Sequence, residues 1–409
     1  MSRPTGIDTS AFFADQHGYY VELRRTPGPR LVRNPQGLAY WLITRHAEAK
    51  AVLLDPRFSK DPRLAEQALS SAGYGVTGAD SFFLPLVNSD PPDHTRLRRL
   101  VSGAFTPRRV EELRPRVEKL THELLDAVPD ENDVDLMTAL AFPLPVLVIS
   151  ELLGVPYGSR GALLNWATRM LTISGSGSGP AERTRRLHRW FASLVAAKRP
   201  YVRADLPQDE QPDLLAALVV AHDQGQRLSD EELVGLLVLL LVAGHETTTG
   251  MIGNAVDALL RHPDQLALLR RRPELVPSAV DELLRYEASL ARTTLRVARE
   301  DVEVAGTVIP AGSVVSVALS AANRDPDVFA EPDRLDITRA RGPHLSFGHG
   351  IHFCLGAPLA RLQTETVLAV LLHRCPDLAL ADPQAPQSWR PVGDMRGLLT
   401  LPVRLRPAV

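Results

Sequence analysis

The chain has 409 residues, long enough for one large core or for two or three domains. Its 46 basic and 48 acidic residues leave a net charge of −2, which excludes the strongly basic balance that nucleic-acid binding demands. Two cysteines exclude a disulfide framework and suit a reducing cytoplasm, and the first twenty residues carry Asp8, Asp15 and His17 with no apolar run of signal-peptide or anchor type.

Taken in chain order, residues 38–44 read as a short strand, followed by a helix over His46–Leu54 that stops at Asp55-Pro56. Residues 59–90 show little periodicity and carry Gly73, Gly75 and Gly78. They read as one long loop, and long ordered loops in compact domains are often functional. Helices are expected over 95–104, 110–127 and 136–153. The Ser/Gly repeat at 174–180 reads either as a plain surface linker or, between apolar helical segments, as the hinge of a lid.

Residues 228–262 carry the longest helical signal. Ser229 with Glu232 makes a capping box, and His262-Pro263 ends it. At 1.5 Å per residue the helix spans roughly 48 Å. It is apolar on every side over 233–243, so it runs through the protein centre, and the apolar stretch is too short to span a membrane. Ala243, Gly244, His245, Glu246 and Thr247 then break the apolar run. Polar groups mid-way along a buried helix need partners or a purpose, and Gly244 would tolerate a local widening there.

A helix over 277–286 carries Glu282 and Arg285 at i, i+3, a spacing that by itself indicates only a surface ion pair. From 296 to 319 the apolar period switches to two, which predicts a small sheet inside a mainly helical protein. No internal repeat is evident. We expect a single domain over 1–409.

Residues 347–361 carry the chemistry. A glycine-bearing loop (Phe347, Gly348, Gly350) precedes Cys354 and an apolar helix. The cysteine can be a small buried residue, or a zinc ligand with His349 and His352, or a thiolate stabilised by the free N–H groups of the helix start. No second Cys/His pair at zinc spacing supports the zinc reading. The whole string, with Phe347, Gly348, Gly350, His352, Cys354 and Gly356 in place, resembles the haem-binding signature of the cytochrome P-450 family, and the likeness extends over essentially the whole chain.

That resemblance implies the mainly α cytochrome P-450 fold, a helical bundle around haem b (iron protoporphyrin IX) with a smaller β-sheet region. Cys354 would ligate the iron. His94, Arg98, Arg296 and His352 would hold the haem propionates, with Phe347, Gly348, Gly356 and Ala243 also against the cofactor. Glu246 and Thr247 match the family's acid and alcohol over the distal haem face and would deliver protons. Glu282, Arg285 and Arg334 would form a buried structural cluster behind the cysteine loop. Leu239, Leu290, Ala291 and Met395 would line the substrate pocket.

The stretches 149–156 and 243–248 look like the bacterial branch that hydroxylates macrolides and other polyketides. The implied activity is a monooxygenase that hydroxylates or epoxidises an apolar natural product. Its electrons would come from a ferredoxin and ferredoxin reductase, docked near Arg99, Arg108, Arg109 and Arg361, because no flavin or nicotinamide domain is present. The other reading, a non-catalytic haem sensor or carrier, leaves Glu246 and Thr247 without a task.

Overall fold

The computed structural model describes residues 7–73, 85–129, 133–161, 163–164, 180–207, 210–223, 228–391 and 393–405. Six of its helices frame the site: α1 (Asp93–Ser102), α2 (Arg114–Asp126), α3 (Pro143–Leu152), α4 (Asp230–Arg261), α5 (Val276–Tyr286) and α6 (Ala357–Arg374). The long helix α4 starts as its sequence dictates. The Ser229 hydroxyl accepts from the Glu232 N–H while the Glu232 carboxylate accepts from the Ser229 N–H, and Pro263 begins the next helix directly after the His262 cap.

Leu233, Leu236, Leu237, Val238 and Leu241 on α4 are fully buried, each contributing about 1.5–3 kcal/mol of burial. Around α4 pack α3, α5 and α6, and α2 packs behind α6. Among the described residues α4 is the one helix long and apolar enough to cross a membrane, and most of that stretch is buried inside the protein. Gly250 matters here. A β-carbon on it would sit 3.0 Å from the Ser289 β-carbon and 3.7 Å from the Gly397 α-carbon. Its absence lets two later segments close directly on α4.

Five strands form the main sheet: β1 (Arg30–Arg33), β2 (Ala39–Ile43), β3 (Phe58–Ser59), β4 (Arg296–Ala298) and β5 (Val314–Val317), in the order β1-β2-β5-β4-β3. Only β2 and β5 pair in parallel, with Trp41 opposite Val315. The strands expected within 296–319 therefore join N-terminal strands in one sheet. Val302–Val304 and Thr307–Ile309 make a separate hairpin, turned by Ala305 and Gly306, both at positive φ.

Several expectations shift. The 110–127 helix divides into Pro107–Glu112 and α2, because Pro115 can stand only in a first turn. The 136–153 helix opens with a π-helical turn, Met137–Ala141, before Pro143. The local widening that Gly244 would tolerate does not occur: α4 is α-helical throughout. Part of the expected loop at 59–90 is ordered as β3, a 3₁₀ turn at Pro62–Ala65 and a helix at Glu66–Ser71. The remainder at 74–84, and the Ser/Gly stretch up to residue 179, lie outside the described residues. Two N-terminal helices, Ser10–Ala14 and Gln16–Arg24, were not anticipated; they bury Phe12, Tyr20 and Leu23 in a small second core.

Candidate active site

The loop before α6 is built by two glycines at positive φ, Gly348 (72°) and Gly350 (75°). A β-carbon on Gly350 would also press to 2.9 Å from the Leu53 carbonyl. The Cys354 N–H donates to the Phe347 carbonyl at 2.9 Å and closes the loop. Cys354 thereby stands just ahead of α6. Protein atoms enclose it closely, yet solvent still reaches its side chain. Burial pushes its thiol pKa up, while the Gly356 and Ala357 N–H groups and the Arg98 guanidinium favour the thiolate. A β-carbon on Gly356 would meet nothing, so the surface beside the loop is open to a flat group.

Four basic side chains gather next to this thiol. His94 and Arg98 share one face of α1, Arg296 opens β4, and His352 ends the turn Gly350–His352. The His94 and His352 rings lie 4.2 Å apart. The Nε2 atoms of both histidines and the Nε of Arg296 are buried without any hydrogen-bond partner. Burial, then His94, Arg296 and Lys60, lower His352 to about 3. Burial lowers Arg296 to about 10, and burial also lowers Arg98 and His94. Buried nitrogens left unpaired beside two arginines call for a hydrogen-bonding anion. The set fits haem b: a thiol for the iron, and orphaned basic nitrogens with two guanidinium groups for two carboxylates.

Opposite in the sequence, the polar break in α4 presents a partly open face: Ala243 is exposed, and Gly244, Glu246 and Thr247 are half-buried. The Thr247 hydroxyl donates to the Ala243 carbonyl at 2.6 Å. Glu246 is held by Arg390 at 2.9 Å, a partner with no sequence signal. His245 is buried with Nε2 unpaired and its ring 4.7 Å from Phe142; burial and then Arg390 lower it to about 4. Thr248 and Thr249 are buried in the core.

Of the expected pocket walls, Leu290 and Met395 meet in a short antiparallel bridge and are partly open, and Leu239 lies on α4 below Ala243. Ala291 does not line a pocket. It is fully buried, because successive residues of an extended segment face opposite sides and Leu290 takes the open one.

Behind the loop, Glu282 and Arg285 make a bidentate pair at 2.7 and 2.8 Å, with both side chains 2% exposed. The third member is not Arg334. Its side chain is exposed and pairs with Glu331, and only its carbonyl reaches Arg285. Arg339 takes the place, with Nε 3.2 Å from Glu282 Oε1. The chain turns back between Glu331, at φ 45°, and Thr338, and that turn brings the later arginine inward. Arg285 also donates to the Asn323 carbonyl. The buried Asn323 side chain in turn bonds the Leu345 N–H and the Ser346 hydroxyl, at the root of the cysteine loop. Arg361 faces inward too: it pairs with Asp281 at 2.8 Å and lies over the Phe347 ring.

A family model for cytochrome P450 matches residues 181–389. The cytochrome P450 monooxygenase PikC of Streptomyces venezuelae is 45% identical over 399 residues, covering 97% of this chain and 92% of that protein. The polyketide biosynthesis cytochrome P450 PksS of Bacillus subtilis (strain 168) is 40% identical over 366 residues, 89% of each chain. The solved structure of the tirandamycin C-bound P450 monooxygenase TamI is similar with a TM-score of 0.87 at 42% identity, covering 98% of this chain and 100% of that one.

Proposed function

Since the chain belongs to the cytochrome P450 family, we propose that it is a bacterial monooxygenase that inserts one oxygen atom from dioxygen into a polyketide-type natural product, with Cys354 as the thiolate that holds the haem iron. The observation that carries this reading is the thiol beside a cluster of basic side chains, three of whose nitrogens are buried without a partner among the described residues.

Haem b, when bound, supplies the activation of dioxygen. The chain's own residues do the rest. The start of α6 stabilises negative charge on Cys354 Sγ through the Gly356 and Ala357 N–H groups. His94, Arg98, Arg296 and His352 hold the cofactor's carboxylates, with His94 Nε2, His352 Nε2 and Arg296 Nε the nitrogens that otherwise lack partners. Thr247 keeps its hydroxyl proton on the Ala243 carbonyl until a rotation about χ1 turns the O–H into the open face of α4. Glu246, held by Arg390 on the partly open face, would take a proton from solvent and pass it to that hydroxyl. Ala243, Leu290 and Met395 offer an apolar wall, backed by buried Leu239, that orients the substrate and excludes water.

Electrons come from a ferredoxin and its reductase. Arg99 and Arg108 are exposed at or near α1 and suit an acidic donor, whereas Arg361 is committed to Asp281. A cytoplasmic location keeps Cys354 reduced and within reach of such donors.

Turnover with a surrogate ferredoxin and reductase tests the proposal. A panel of macrolactones is expected to yield a product heavier by one oxygen atom. Conversion of fatty acids or small aromatics alone, with no macrolactone accepted, would reject the substrate class; haem binding without any oxygenated product would reject the activity.

A further inference from the structure

Lys60 stands where no surface lysine should. It follows β3 directly, and the β3–β4 register pairs Phe58 with Ala298 and Ser59 with Val297, so one step further brings Lys60 opposite Arg296. Both side chains are buried, at 4% and 5% exposure. Like charges directly opposite on a sheet repel, and burial makes each more costly. The Lys60 Nζ donates to the Thr294 hydroxyl at 2.5 Å and to the Leu295 carbonyl at 2.7 Å. An ammonium has three donors, and among the described residues nothing within ion-pair distance is a carboxylate that takes the third.

The nearest acids are committed elsewhere. Asp90 accepts from the Ser59 hydroxyl, the Lys60 backbone N–H and Arg299. Asp394 is drawn on by Arg292. The other titratable groups facing Lys60 are Arg296 and, within its field, His352. Burial and then Arg296 lower the lysine to about 7, in keeping with a cation that lacks its counter-ion. The orphaned Nε of Arg296 and Nε2 of His352 lie in the same group. The fold has thus placed one more basic side chain beside the four already assigned to the cofactor.

We propose that Lys60 is a fifth cationic contact for the carboxylates of haem b, reaching them across the end of the β3–β4 ladder beside Arg296. This rests on the reading of the cation cluster as the haem-carboxylate cradle. Lys60 then completes its third donor on a carboxylate oxygen, and that negative charge offsets the repulsion between Lys60 and Arg296. Its place beside β3 rather than on α1 ties the cofactor's edge to the segment that leads from Leu290 into β4.

Two measurements on the holoenzyme test it, with Lys60→Met, Arg98→Ala and wild type side by side. One is the set of low-frequency propionate bending bands in the resonance Raman spectrum. The other is the rate at which haem passes to excess apomyoglobin. In Lys60→Met the bending bands should shift, and haem transfer should quicken about tenfold or more, the size expected for one charge-assisted hydrogen bond. If Arg98→Ala shifts the bands and Lys60→Met leaves both bands and transfer rate at wild-type values, Lys60 has no such contact and the cradle stands without it. If neither variant shifts the bands, the cradle reading falls and the proposal with it. Faster haem loss in Lys60→Met with unshifted bands would assign the lysine a merely structural role and overturn the contact.

Discussion

His245 shows how one buried side chain sets a pH dependence. Unfolded, its imidazole takes a proton near pH 6.5; folded, burial and Arg390 hold that off until about pH 4. Acid therefore draws the chain towards the unfolded state, starting below pH 6.5 and levelling off below about 4. The loss is at most about 3 kcal/mol. His245→Gln escapes it. Denaturant melts at pH 7 and pH 5 should show the variant gaining on wild type by roughly 1–2 kcal/mol as pH falls; parallel losses in both would show that another group carries the acid sensitivity.

Two arginines separate what a motif can say from what only coordinates can. Arg334 stands in the P-x-R pattern, and spacing alone gives no ground to prefer Arg339, five residues on. The choice depends on the turn from Glu331 to Thr338, whose shape no local pattern encodes. Arg339→Ala should cost about 1–3 kcal/mol through the lost bonds to Glu282 and the Ala330 carbonyl. Arg334→Ala should stay within about 0.5 kcal/mol, since its exposed side chain meets only Glu331. Equal losses in thermal melts of the two would contradict the assignment. Lys60, Asn323 and Arg390 were likewise invisible: each matters through a partner tens to hundreds of residues away.

At the scale of elements, α4 was legible nearly to its ends because a capping box, an all-round apolar run and a proline stop agree. The polar break was legible too, and the geometry adds the bond that holds its threonine. Thr247→Ala should retain haem and ligand binding, because only an exposed-face hydrogen bond to Ala243 is lost. Product formed per electron should fall several-fold, within the range of up to about 10²–10⁴ that a positioned proton donor provides. Coupling at the wild-type level in both Thr247→Ala and Glu246→Gln would remove these residues from proton delivery. Short strands fared worse. β3 has two residues, and nothing in 59–90 announces that it pairs with β4, more than 230 positions on.

For the whole molecule, the mainly helical class, the small sheet and the cysteine loop could all be read from the chain, because they rest on periodicity and on glycines with a defined backbone task. The closure of the sheet could not, since β2 pairs with β5 and β3 with β4, strands far apart in the sequence. The N-terminal helices escaped for a similar reason. They are short, and their place is fixed by distant contacts, the Asp8–Arg292 ion pair and the His17–Glu287 hydrogen bond. These contacts tie the N-terminal segment to the stretch that follows α5.

The reduced carbon monoxide spectrum of two cysteine variants tests the central claim most directly. Cys354 and Cys375 are both unpaired thiols, but only Cys354 lies beside the cation cluster, whereas Cys375 caps the far end of α6. Cys354→Ser is expected to lose the thiolate-type Soret band, and Cys375→Ser to keep it. A Cys354→Ser protein that retains that band, or a Cys375→Ser protein that lacks it, would contradict the assignment of Cys354 as the ligand of the haem iron.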